Sequence, residues 1–124
     1  MEGYSVKIRE VSKDITAKER VMLKDTTNAI QLDEATSNAK VTLEPAYYAI
    51  LDVHNEKSDD KDYTKYVIVD KTGTKFVTGS ESFFTSLKDI LDEMCDSGEE
   101  FAIEVYRVPS KNYKGKEFIT CSIV

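Results

Sequence analysis

Val41-Thr42-Leu43-Glu44-Pro45-Ala46-Tyr47-Tyr48-Ala49-Ile50-Leu51-Asp52-Val53 is the stretch on which the fold turns. Val41 and Leu43 alternate with polar residues, and the run after Pro45 is rich in aromatic and branched side chains, which favour a pleated surface. Proline cannot donate to a strand ladder, so Pro45 marks an edge, a bulge or a sharp bend in one long strand. Downstream, a charged loop (54–62) separates this strand from a second over Tyr63 to Asp70. The turn Lys71-Thr72-Gly73 then leads into a third strand, Lys75 to Thr78, completing a hairpin.

After Gly79-Ser80-Glu81-Ser82 the periodicity changes. Phe83, Leu87, Ile90, Leu91 and Met94 form one apolar stripe at helical spacing, with Ser80 or Ser82 placed to cap the first turn. Strands over Phe101 to Val108 and Glu117 to Val124 close the chain, joined by the loop 109–116. Upstream, Val6 to Val11 predicts a short strand. Thr16-Ala17-Lys18-Glu19 is a capping-box pattern opening a helix to Asp25, and Ile30 and Leu32 alternate as a brief strand would. The expectation is a single domain over 1–124, with an N-terminal extension (1–36) carrying a helical arm and a body (37–124) of strand, strand, strand, helix, strand, strand. That is the order of an all-β fold with helices, the five-stranded OB-fold β-barrel with one helix between strands three and four.

A 124-residue chain with 40% hydrophobic and 32% charged residues can bury one core and is not a disordered sequence. No apolar run approaches the roughly 20 residues that span a bilayer, and the first ten residues lack a signal core, so no membrane role and a cytoplasmic location are expected. Cys95 and Cys121 are too few for a disulfide framework and read as reduced core residues.

Seventeen basic against 23 acidic residues give a net charge of −6, unevenly spread. Residues 81–100 alone carry net −6 and residues 101–124 carry net +2. The acidic excess is thus expected on the late helix, leaving another surface to carry the lysines.

No enzyme is expected. His54 is the only histidine and has no nucleophile near it in sequence; Asp59, Asp60 and Asp62 lack the glycine and distal glutamate of a calcium loop. No phosphate-binding glycine motif occurs, and no cofactor or metal is implied. Binding a single strand, in contrast, needs aromatic faces for bases and cations for phosphates in close company. Tyr63-Thr64-Lys65-Tyr66, Tyr106-Arg107 and Lys111-Asn112-Tyr113-Lys114-Gly115-Lys116 supply that interleaving. Lys65 and Tyr66 are therefore candidates. Tyr47 and Tyr48 are strand neighbours on opposite faces, one core and one exposed, and Tyr48 is carried as a candidate. Phe76, Phe83 and Phe118 read as core.

From Thr78-Gly79-Ser80 through the amphipathic helix, Val105-Tyr106-Arg107 and Ser110-Lys111-Asn112-Tyr113-Lys114-Gly115-Lys116-Glu117-Phe118-Ile119-Thr120, the sequence resembles small phage-type single-stranded DNA-binding proteins. The resemblance implies an OB-fold and sequence-independent, non-catalytic coating of displaced strands in phage DNA replication. It also implies single-stranded DNA and replication proteins as partners, a homo-oligomer as one open arrangement, and the host cytoplasm as location. It points to Tyr106, Arg107, Lys111, Tyr113, Lys114 and Lys116 as nucleic-acid contacts. The acidic stretch 81–100 supports a different reading, an interaction module or DNA mimic that blocks a nucleic-acid enzyme.

Overall fold

A computed structural model describes residues 3–94, 97–110 and 115–124. In chain order its elements are β1 (Tyr4–Val11), α1 (Ala17–Lys24), β2 (Ile30–Gln31), α2 (Leu32–Ala35), β3 (Val41–Leu43) and β4 (Pro45–Asn55). They continue with β5 (Asp62–Asp70), β6 (Lys75–Thr78), α3 (Glu81–Met94), β7 (Ile103–Pro109) and β8 (Glu117–Ile123). The fold is mostly strand, with few helices, in two sheets ordered β1-β4-β5-β6-β2 and β3-β7-β8. Among the described residues no ladder joins the sheets into the closed barrel that the sequence led one to expect. No helix among the described residues is long and apolar enough to cross a membrane.

The decisive stretch breaks at Glu44. Val41–Leu43 pairs with β7, while the strand that begins at Pro45 enters the other sheet. Proline has no N–H to continue a ladder and its φ is fixed, so the ladder ends there. By contacts the chain divides into two compact units, Met1–Ile30 with Ala46–Gly79, and Gln31–Pro45 with Ser80–Val124.

In the first unit Leu23, Ala49, Leu51, Val53, Val67, Val69 and Val77 form one buried cluster, joined by Val6 and Ile8 of β1. The strand expected at Val6 to Val11 is present, extended to Tyr4: β1 runs antiparallel to β4, from Tyr4 opposite Asn55 to Val11 opposite Ala49. Its register shifts between Ile8 and Glu10, making Arg9 the extra residue of a bulge. Helix α1 starts with the expected capping box, Glu19 N–H donating to Thr16 Oγ1 (3.1 Å) and Thr16 N–H to Glu19 Oε1 (3.0 Å). Its C-terminal carbonyls of Met22 (2.7 Å) and Asp25 accept from Lys75 Nζ, a cation set against the negative end of the helix dipole. The β5–β6 turn uses Gly73 at φ 89°, a left-handed conformation that costs other residues a steric clash.

In the second unit β7 and β8 form a long hairpin, from Ile103 opposite Ile123 to Pro109 opposite Glu117. Helix α3 opens on Ser80, whose Oγ accepts from Phe83 N–H (3.2 Å), and buries Phe83, Phe84 and Leu87. It lies along β8, where Ser82 Oγ donates to the Ile119 carbonyl (3.0 Å) and the Ser86 and Thr120 hydroxyls are 3.0 Å apart. A strand edge that would otherwise be open is thereby covered. The brief strand expected at Ile30 and Leu32 is present as β2 over Ile30–Gln31, and Leu32 already opens the single-turn α2.

Candidate nucleic-acid interface

The alternation of β7 and β8 builds a two-faced sheet. Ile103, Val105, Ile119 and Cys121 are buried, so Glu104, Tyr106 and Val108 with Phe118, Thr120 and Ser122 share the other face. Tyr106 is half-buried there, its hydroxyl 2.5 Å from Ser122 Oγ. That bond fixes the phenol end and leaves the ring as the surface on offer. Phe118 is 41% exposed. It sits opposite Val108, one step along the same face from Thr120, the partner of Tyr106. The two residues are therefore diagonal neighbours, their Cα atoms roughly 7–8 Å apart.

Sequence reasoning placed Phe118 in the core because large apolar side chains usually go there. The usable signal was alternation. Ile119, Cys121 and Ile123 share one parity; Thr120 and Ser122 share the other with Phe118 and mark its face as the solvent side.

Lys40 precedes Val41, whose partner is Val105, and so lies beside Tyr106. Its Nζ is 5.4 Å from the centre of the Tyr106 ring and 2.9 Å from Glu104 Oε1. The Glu104 carboxylate, as the bonded partner, pushes the Lys40 ammonium's pKa above its usual value. Lys116 is exposed at the foot of the hairpin, where its carbonyl accepts from Ser110 N–H (2.8 Å). Lys111, Tyr113 and Lys114 lie outside the described residues.

Arg107 is placed away from the face on which it was expected. It has the parity of buried Val105. Its Nε donates to Thr36 Oγ1 (3.3 Å) and its Nη2 to the Asp33 carbonyl, holding α2 against the sheet. Tyr48 is also corrected. It is 8% exposed and its hydroxyl donates to Glu10 Oε2 (3.1 Å), so its ring offers no open face to a base. Strand β4 is buried on both faces, from Tyr48 through Leu51, which erases the alternation that would have separated Tyr47 from Tyr48. Tyr47 is the more open of the two, with Lys13 Nζ 4.7 Å from its ring centre.

Lys65 and Tyr66 are both half-buried on β5, consecutive and hence on opposite faces. Lys65 Nζ lies 5.9 Å from the Tyr63 ring centre, and Tyr66 pairs across the ladder with Thr78. The first unit also carries a shallow groove of about 530 Å³, lined in part by Lys7, Arg9, Asp52, His54 and Asp62. Its charges are paired internally. Arg9 bonds Asp52 and Thr64, the latter at 3.2 Å. The two ring nitrogens of His54 lie 2.7 Å from Asp62 Oδ1 and 2.6 Å from Glu56 Oε1. Both contacts are hydrogen bonds only if both nitrogens carry protons, and the two carboxylates, Asp62 foremost, raise the His54 pKa. Carboxylates are thus not confined to α3; they also sit among the cations of both units.

Among the described residues no cluster of three His, Cys, Asp or Glu side chains is arranged for a metal. Burial pushes the Cys121 thiol up to about 12, which leaves it protonated and unreactive near neutral pH. No family model matches the chain, and neither a curated protein nor a solved structure does.

Proposed function

We propose that the chain binds single-stranded DNA, without catalysis and without base specificity, on the outer face of the β3-β7-β8 sheet. The observation that carries this reading is the pair Tyr106, half-buried, and Phe118, exposed, two aromatic rings on one sheet face with Lys40 over the first. Aromatic rings accept any base, because every base has a π-face, at about 1–3 kcal/mol per stacked base. Lys40 and Lys116, with the sequence-adjacent Lys111 and Lys114, supply phosphate contacts. The element order and the strand broken at Glu44 support an open OB-fold, a barrel that need not close fully. The resemblance to phage-type proteins supports a role in coating strands during DNA replication, in the cytoplasm of the host.

The test is a titration of fluorescently labelled oligo-dT with the protein at low and moderate salt, read by anisotropy. Saturable binding that weakens as salt rises is expected; no binding at low salt refutes the reading. The competing interaction-module reading predicts instead that neutralising Asp89, Asp92 and Glu93, all exposed on α3, abolishes the protein's activity. Oligo-dT binding that survives those changes separates the two.

A further inference from the structure

The binding face contains one group that a polynucleotide should not welcome. Glu104 lies in its middle, between Thr42 on β3 and Ser122 on β8. It is partnered by Lys40, and that partnership draws the ammonium across the Tyr106 ring. The carboxylate and the ammonium therefore occupy the two positions a bound strand needs: an anion on Lys40, and a flat group on the phenol ring.

We propose that Glu104 is a built-in competitor for the strand, standing in for the phosphate in the free protein, so that binding exchanges its carboxylate for a phosphate on Lys40 and the ammonium for a base on Tyr106. This rests on the reading of the β3-β7-β8 face as the single-strand site. The exchange is chemically even-handed. Carboxylate and phosphate are both oxyanion acceptors for the same ammonium, and no bond is made or broken apart from hydrogen bonds.

The latch is also weak enough to open. The Lys40 side chain is 66% exposed and that of Glu104 30%, and a pair so wetted gains little from its own attraction. Lys40 sits at the end of a flexible four-carbon stem and can swing between the two anions without moving the sheet. The Tyr106 hydroxyl, held by Ser122, keeps the ring in place while its cover leaves. Glu104 thus lowers affinity and keeps the aromatic platform covered until a strand arrives.

The test compares wild type, Glu104→Gln, Lys40→Gln and the double variant in oligo-dT anisotropy titrations, with thermal unfolding as the check on folding. Glu104→Gln is expected to tighten binding roughly three- to tenfold, the effect of one unit charge about 4 Å away through solvent-like dielectric. The salt slope should also steepen by up to about 0.7, one further phosphate neutralised. The gain should shrink when Lys40 is already Gln, because the freed ammonium is part of it. Wild-type binding with a Glu104→Gln variant that is folded and no tighter overturns the competitor role while leaving the site intact. An equal gain in both Lys40 backgrounds overturns the latch as well, reducing Glu104 to a plain repulsive charge. Absence of binding by all four proteins at low salt removes the site and this inference together. Should Glu104→Gln lower the unfolding midpoint, Glu104→Ser, paired with the Ser122 hydroxyl across the ladder, carries the same comparison.

Discussion

Phe118 is the residue whose removal separates binding from folding most cleanly. It is 41% exposed on a face that also carries Thr120 and Ser122, so little packing depends on it. Phe118→Ala should weaken oligo-dT binding by about 1–3 kcal/mol if one base stacks there, with a thermal midpoint close to wild type. A large drop in midpoint with unchanged affinity would assign the ring to the core instead. His54 makes a second residue-scale prediction. Its pKa in the folded protein is raised above 6.5, first by Asp62 and then by Glu56. The stabilisation it gives the 55–62 turn is therefore complete below pH 6.5 and is lost as pH rises through the folded value. Glu56 is shifted the other way, below 4.5, by its bonds to His54 and then Lys61, so its share is lost as pH falls through that lowered value. The clasp is strongest between those limits. As the only histidine, His54 gives one imidazole signal in an NMR titration; a midpoint at or below 6.5 contradicts the clasp.

At the level of elements, Arg107 shows how a charge can be misassigned from sequence. Next to Tyr106 in a lysine-rich region it reads as a phosphate contact, yet its guanidinium is spent on Thr36 and the Asp33 carbonyl of α2. Arg107→Ala should lower stability by about 1–3 kcal/mol, the range for hydrogen bonds from a charged donor, and leave the salt slope of binding unchanged. A flattened slope with unaltered stability would return Arg107 to the interface. The elements with strong periodic or capping signals were legible: α1 by Thr16 and Glu19, α3 by its apolar stripe and Ser80, the β5–β6 hairpin by its Gly73 turn. Pro45 signalled a disturbance in one long strand, and the structure divides that stretch into β3 and β4 in different sheets. What escaped depended on distant partners. Residues 32–35 form a helical turn held by an arginine more than seventy positions away, and β1 belongs to the sheet because Val6 and Ile8 find Leu51 and Val53. Ladder pairing between remote strands leaves no period in the sequence, so barrel closure was not readable from the element order. In the site, Tyr106 and Lys116 were named from sequence and Phe118 was legible in the alternation of β8, whereas Lys40 and Glu104 emerge only once the register of β3, β7 and β8 is known.

For the whole molecule, a net charge of −6 opposes the proposed binding of a polyanion. Exposed Glu81, Asp89, Asp92 and Glu93 on α3 carry much of the excess, and Asp52, Glu56 and Glu104 are each bonded to a cation. The overall field therefore repels a polyanion, and the proposed binding rests on a local face alone. Only the few lysines of that face release counterions, so the salt slope should be shallow. It should lie between about −0.7, for Lys116 alone while Glu104 offsets Lys40, and about −2.1 if Lys111 and Lys114 also reach phosphates. Stacking must then supply most of the affinity, which makes the aromatic pair the decisive feature. The direct measurement is an oligo-dT anisotropy titration at low salt of wild type against the folded double variant Tyr106→Ala/Phe118→Ala. Tight wild-type binding that falls by at least about tenfold in the variant, at about 1.4 kcal/mol per decade, is the predicted result. Equal affinity of the two proteins would contradict it.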